Sequence, residues 1–101
     1  MNYKVYVSDR AKKQIAEHIA FVANINKSSA KILKKRMIKT LQSLSDMPRR
    51  CPHFHIDSSD NYAYRKMPLE GKYIAVYHIE DTAVYIDYVI DCRQDYGWLL
   101  K

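Results

Sequence analysis

The chain has 101 residues, 48% of them hydrophobic, and its 17 Lys and Arg against 11 Asp and Glu leave a formal charge of +6. That length supports a core for one compact domain spanning residues 1–101 and no second one. No apolar run approaches the roughly 18 residues a membrane span needs, and two cysteines without CxxC spacing make no disulfide framework. With no leader pattern at its start, the sequence reads as a reduced, cytoplasmic protein whose basic balance favours polyanions or an acidic protein partner.

Tyr3 to Ser8, "YKVYVS", alternates and is rich in β-branched and aromatic residues, the pattern of a strand. Ser8 or Asp9 then offers a side-chain oxygen to cap a helix whose apolar line is Ala11, Ile15, Ile19, Val22 and Ile25. "NINKSS" breaks it. Ser28 or Ser29 can cap a second helix, with Ile32, Leu33, Met37, Leu41 and Leu44 on one side and Pro48 at its end. So short a connection between two amphipathic segments predicts an antiparallel helical hairpin.

Residues 49–61, with Pro52 and "DSSDN", read as a loop. Three strands follow, about Tyr62 to Pro68, Lys72 to Ile79 and Ala83 to Asp91, joined by "LEG" and "EDT" at hairpin length. Helical patterns in the first half and strand patterns in the second predict an α+β fold rather than alternating α/β. The near-continuous apolar runs "KYIAVYHIE" and "AVYIDYVID" predict central strands, covered on one face by the helices and bordering a concave surface on the other.

The segment "YRKMPLEGKYIAVYHIEDTAVYIDYVIDCRQDYGWLL" resembles the C-terminal half of the RelE/ParE superfamily of toxins from bacterial toxin–antitoxin modules. The resemblance is carried by the Arg65–Lys66 pair, the Gly71 turn, the strand and acidic turn "YIAVYHIED", and an Arg at the end of the last strand. It implies an N-terminal strand and helical hairpin packed on a mainly antiparallel, about four-stranded twisted sheet, without a cofactor. It also implies growth inhibition neutralised by a cognate antitoxin, with DNA contact only through the antitoxin complex.

Two chemistries then divide the superfamily. Toxins similar to RelE cut mRNA in the ribosomal A site, and those similar to ParE inhibit DNA gyrase. For the first, the resemblance implies Arg65, Lys66, Lys72, Arg93 and Tyr96 as the groups that would move protons and stabilise the phosphorane. For the second, "DCRQDYGWLL" resembles the Arg-x-Asp-aromatic tail with which ParE-like chains finish, and Arg65, Lys72, Arg93, Trp98 and Leu99 become target- or antitoxin-binding residues. Asp91 and Asp95 flank Arg93 and compete with phosphate for it, which tips the reading toward ParE. A third reading is a member that keeps the fold and antitoxin binding but is no longer toxic.

Each candidate has a plainer role open to it. Arg65, Lys66 and Lys72 can be the solvated side of a strand pair, Arg93 an ion pair fixing the C-terminal segment, and Trp98 and Leu99 packing residues. Cys51, His53, His55 and Asp57 are all possible metal ligands, but no second Cys/His pair follows at zinc-ribbon spacing, so the reading assigns no metal. His18 and His78 have no evident partners in the sequence and read as structural, and most of the tyrosines as packing.

Overall fold

The computed structural model describes residues 2–56 and 62–94. A short strand, β1 (Lys4–Val7), leads into two helices, α1 (Asp9–Ala23) and α2 (Lys27–Gln42), and three strands follow: β2 (Arg65–Leu69), β3 (Tyr73–Glu80) and β4 (Ala83–Asp91). They form one sheet in the order β1-β4-β3-β2. The meander β2–β3–β4 is antiparallel, whereas β1 lies parallel to β4 with Lys4 opposite Ala83 and Val7 opposite Ile86. The expected α+β architecture, an N-terminal strand and helical hairpin on a mainly antiparallel sheet, is the one observed.

Ser8 caps α1, its Oγ accepting from the Ala11 N–H at 3.0 Å, and Asp9 places a carboxylate in the first turn, where the helix dipole favours it. The cap of α2 is Asn26, not Ser28 or Ser29. Its Oδ1 accepts from the Ser29 N–H at 3.0 Å, so the helix starts earlier than the serines imply. Its buried line is Ala30, Met37 and Leu41, with Leu33 packed against the core that Met37 and Leu41 join. Ile32 is 52% exposed because, one residue from Leu33, it points about 100° away around the helix. Ile25, beyond the end of α1, is 77% exposed.

Pro48 does not end α2. The helix stops at Gln42, a single 3₁₀ turn (Ser43–Ser45) buries Leu44, and Pro48 opens a second turn (Pro48–Arg50), where its missing N–H is no loss. The Pro48 carbonyl accepts from the buried Tyr77 hydroxyl at 2.6 Å, which ties this connection to the middle of β3.

The core lies between the helices and one face of the sheet, where Met37, Leu41 and Leu44 meet Leu69, Tyr77, Val84 and Ile86. The opposite face is not simply open. Ile56 and Tyr64 join Val76, Tyr88 and Ile90 in a second apolar cluster with Phe54 packed on it, so the connection before β2 covers part of the expected concave surface. The same connection shields the outer edge of β2: the Phe54 N–H donates to the Tyr64 carbonyl at 2.8 Å and the Lys66 N–H to that of Pro52 at 3.1 Å.

Candidate functional site

β4 is longer than β1, which accompanies it only to Ile86, so the second half of β4 has no strand on that side. Side chains at the start of and along α1 satisfy its backbone instead. The Ser8 hydroxyl donates to the Asp87 carbonyl at 3.1 Å, and Gln14 Oε1 accepts from the Val89 N–H at 2.8 Å. His18 Nε2 lies 2.8 Å from the Val89 carbonyl; a carbonyl only accepts, so the ring carries its proton on that nitrogen. Gln14 and His18 are four residues apart and share one helix face, the signal by which this role of His18 could have been found in the sequence.

Past this seam α1 and the sheet diverge around a cleft of about 610 Å³, lined by Glu17, His18 and Phe21 on one side and by Tyr73, Asp91 and Arg93 on the other. The Asp91 side chain is only 8% exposed and holds Arg93 three ways. The Arg93 backbone N–H and Nε donate to Oδ1 at 2.8 and 3.0 Å, and Nη2 donates to Oδ2 at 2.8 Å. These bonds hold the Asp91 carboxyl below its usual range against the opposing effect of burial, and raise Arg93 in turn. Burial pushes the Tyr73 phenol up, with the nearby Arg93 guanidinium working against it.

Lys72 sits in the β2–β3 turn, and its carbonyl accepts from the Cys92 N–H at 2.8 Å, so Lys72 and Arg93 share one end of the sheet. Arg65 and Lys66 are separated, because consecutive strand residues face opposite ways. Arg65 donates through Nη1 to the Cys51 carbonyl at 2.6 Å and that of Arg49 at 3.2 Å, fastening the connection before β2. The Lys66 ammonium lies 5.1 Å from the Phe54 ring on the other face. Tyr96, Trp98 and Leu99 lie outside the described residues, as do Asp57 and Asp95. Cys51 is buried, His53 bridges to Arg65, and among the described residues no three His, Cys, Asp or Glu side chains form a group suited to a metal ion.

On the face away from the helices, His78 occupies the middle of an aromatic row. Its ring stacks on Tyr62 at 3.8 Å and on Tyr85 at 5.2 Å, and Tyr85 stacks on Tyr6 at 5.3 Å. Nδ1 lies 2.9 Å from Oδ2 of Asp87, the unpaired residue of a bulge between β3 and β4, and Nε2 lies 3.7 Å from Glu80. Both histidines that looked unpartnered in the sequence therefore organise an interface: His18 that of α1 with β4, and His78 that between strands.

No curated protein matches the chain. Among solved structures it is similar to the chromosomal ParDE toxin–antitoxin system of P. aeruginosa, with a TM-score of 0.69 at 12% identity over 88% of this chain and 95% of that one. At that identity the likeness concerns the fold. The family model for the ParE toxin of the parDE type II toxin–antitoxin system matches residues 5–96, nearly the whole length, and the chain belongs to that family.

Proposed function

We propose that this protein is the growth-inhibiting toxin of a type II toxin–antitoxin pair, neutralised by a cognate antitoxin, and that it acts by engaging DNA gyrase rather than by cutting mRNA. The observation that carries the reading is the Asp91–Arg93 pair. A guanidinium already bonded through Nε and Nη2 to a carboxylate is neutralised and oriented, a poor clamp for a scissile phosphate and a good polar contact for a protein surface.

The other candidates support the same reading. Arg65 is committed to backbone carbonyls, Lys66 lies on the opposite face of the sheet, and among the described candidates only Lys72 joins Arg93 at one end. A ribonuclease of this kind needs a proton acceptor, a proton donor and a phosphate-stabilising cation converging within hydrogen-bond reach of one reacting group. On this reading Lys72 and Arg93 contact the target or the antitoxin, and Trp98 and Leu99, outside the described residues, are further binding residues that the resemblance implies.

Two measurements made together test the proposal: supercoiling by purified gyrase with the protein added, and mapping of mRNA 5′ ends after its induction without antitoxin. Loss of supercoiling with an unchanged mRNA pattern is the expected result. New cleavages in translated frames with gyrase untouched would overturn it in favour of a ribosome-dependent nuclease. Undisturbed growth with folded protein present would mark a member that has lost toxicity.

A further inference from the structure

The net charge of the molecule resides in its helical hairpin. Between Asp9 and Gln42 there are nine Lys and Arg against two acids, Asp9 and Glu17, a net +7, so the remaining residues together carry −1. Within α2 the imbalance is complete: Lys27, Lys31, Lys34, Lys35, Arg36 and Lys39 face no Asp or Glu in the helix, and all six are exposed. Among the described residues none of the six forms an ion pair.

This arrangement does nothing for the helix itself. Lys27, Lys31, Lys35 and Lys39 follow one another at four-residue spacing, where like charges repel, and Lys27 and Lys31 stand near the N-terminal end, where the dipole disfavours cations. Ala30, Met37 and Leu41 anchor the opposite side in the core, so α2 cannot turn the row inward. A fixed line of unopposed cations on a rigid element fits a partner that presents a regular line of negative charge.

We propose that this outer face of α2 binds the sugar–phosphate backbone of duplex DNA directly, against the expectation from the resemblance that DNA is contacted only through the antitoxin complex, without sequence preference and whichever target the toxin acts on. From Lys27 to Lys39 the row runs about 18 Å, at 1.5 Å rise per residue, which matches roughly five base-pair steps of 3.4 Å. Five of the six cations are lysines, which bind phosphates as point charges, and the one carboxamide of α2, Gln42, stands at its last residue. A single strand would call for aromatic side chains interleaved with the cations, and α2 contains none. An acidic protein segment would favour an apolar stripe beside the charges; the hairpin also exposes Phe21 and Ile25 off α2, but on α2 itself the exposed Ile32 and Ile38 lie about 120° apart around the helix and make no stripe.

The test is fluorescence anisotropy of a short labelled duplex of arbitrary sequence, titrated with the purified full-length protein over a range of salt concentrations. Wild type is expected to bind with a steep salt dependence, and the K31Q/K35Q/K39Q variant to lose about 3 from the slope of log K against log salt. The charge-preserving K31R/K35R/K39R variant should keep the wild-type slope, as should Lys4→Gln on β1. Circular dichroism checks that each variant retains its helices, and Lys35→Gln alone, with a loss of about 1 in slope, provides a reading if the triple variant unfolds. No saturable binding by wild type at low salt, or an unchanged slope in the folded Gln variants, would overturn the proposal. Binding of poly-glutamate but not duplex would overturn it too and assign the face to an acidic protein. None of these outcomes depends on gyrase inhibition, so the two proposals fail separately.

Discussion

Replacing Asp91 by Asn tests whether the Asp91–Arg93 pair holds the end of β4. Asparagine keeps the shape and one acceptor oxygen for the Arg93 backbone N–H but removes the charge that two guanidinium nitrogens meet at 2.8 and 3.0 Å. Hydrogen bonds to a charged group contribute roughly 1.5–3 kcal/mol, but half of the Arg93 side chain is exposed and solvent screens the pair toward the surface range. The expected loss at neutral pH is therefore about 1 kcal/mol, a fall in Tm of roughly 4–8 °C for a domain this small.

The pH dependence gives the sharper test. Asp91 is depressed in the folded protein, so its contribution is present above the unfolded carboxylate value of about 3.9 and is lost as pH falls through the lower folded value. The stability gap between wild type and Asp91→Asn should thus be full at pH 7 and close in acid. Urea titrations at several pH values measure it. A gap that persists in strong acid, or none at pH 7, would refute the argument. Arg93→Ala provides a second check, because the Asp91→Asn/Arg93→Ala double variant should be little worse than Arg93→Ala alone if the two residues act as a pair.

Gln14→Leu removes the acceptor for the Val89 N–H, leaving a donor unsatisfied on a stretch of β4 that has no neighbouring strand on that side, for an expected cost of about 1–3 kcal/mol. Hydrogen exchange at the Val89 amide should accelerate, and unchanged protection there would count against the seam between α1 and β4. Gly71→Ala meets nothing within 4 Å, yet Gly71 has a φ of +71°, so the variant should lose about 1 kcal/mol from backbone strain alone, read as a lower urea midpoint with an unchanged slope.

Elements bounded by strong local signals were legible in the sequence. β4 runs from Ala83 to Asp91 as expected, because an apolar run begins after a two-residue turn and ends at polar residues. The cap of α2 was not legible, since "NINKSS" offers several capping side chains with similar preferences and tertiary packing selects Asn26. The bulge at Asp87 left a trace that strict alternation overlooks: core-facing Val84 and Ile86 are two apart, but the next, Val89, follows after three, which requires one extra residue. The parallel pairing of β1 with β4 has no local signature, because it is set by how the helical hairpin returns the chain to the sheet.

The candidate site shows the same division between local and tertiary information. Arg65 and Lys66 attract attention by adjacency, and adjacency in a strand is what places their side chains on opposite faces. Lys72 and Arg93, far apart in sequence, come together because the β2–β3 turn and the end of β4 meet where Tyr73 pairs with Asp91. The acid two residues before Arg93 carried more information than the cluster of cations. The strand ends at Asp91 and Arg93 lies in the turn that follows, where its own N–H reaches back to Asp91 Oδ1, and the bonds between the two side chains turn a candidate phosphate clamp into a neutral, positioned pair. Among the described residues the cations of α2 form no ion pair, whereas the charges at the end of β4 are already paired, which is why the two proposals assign phosphate to the helix and a protein partner to the strand end.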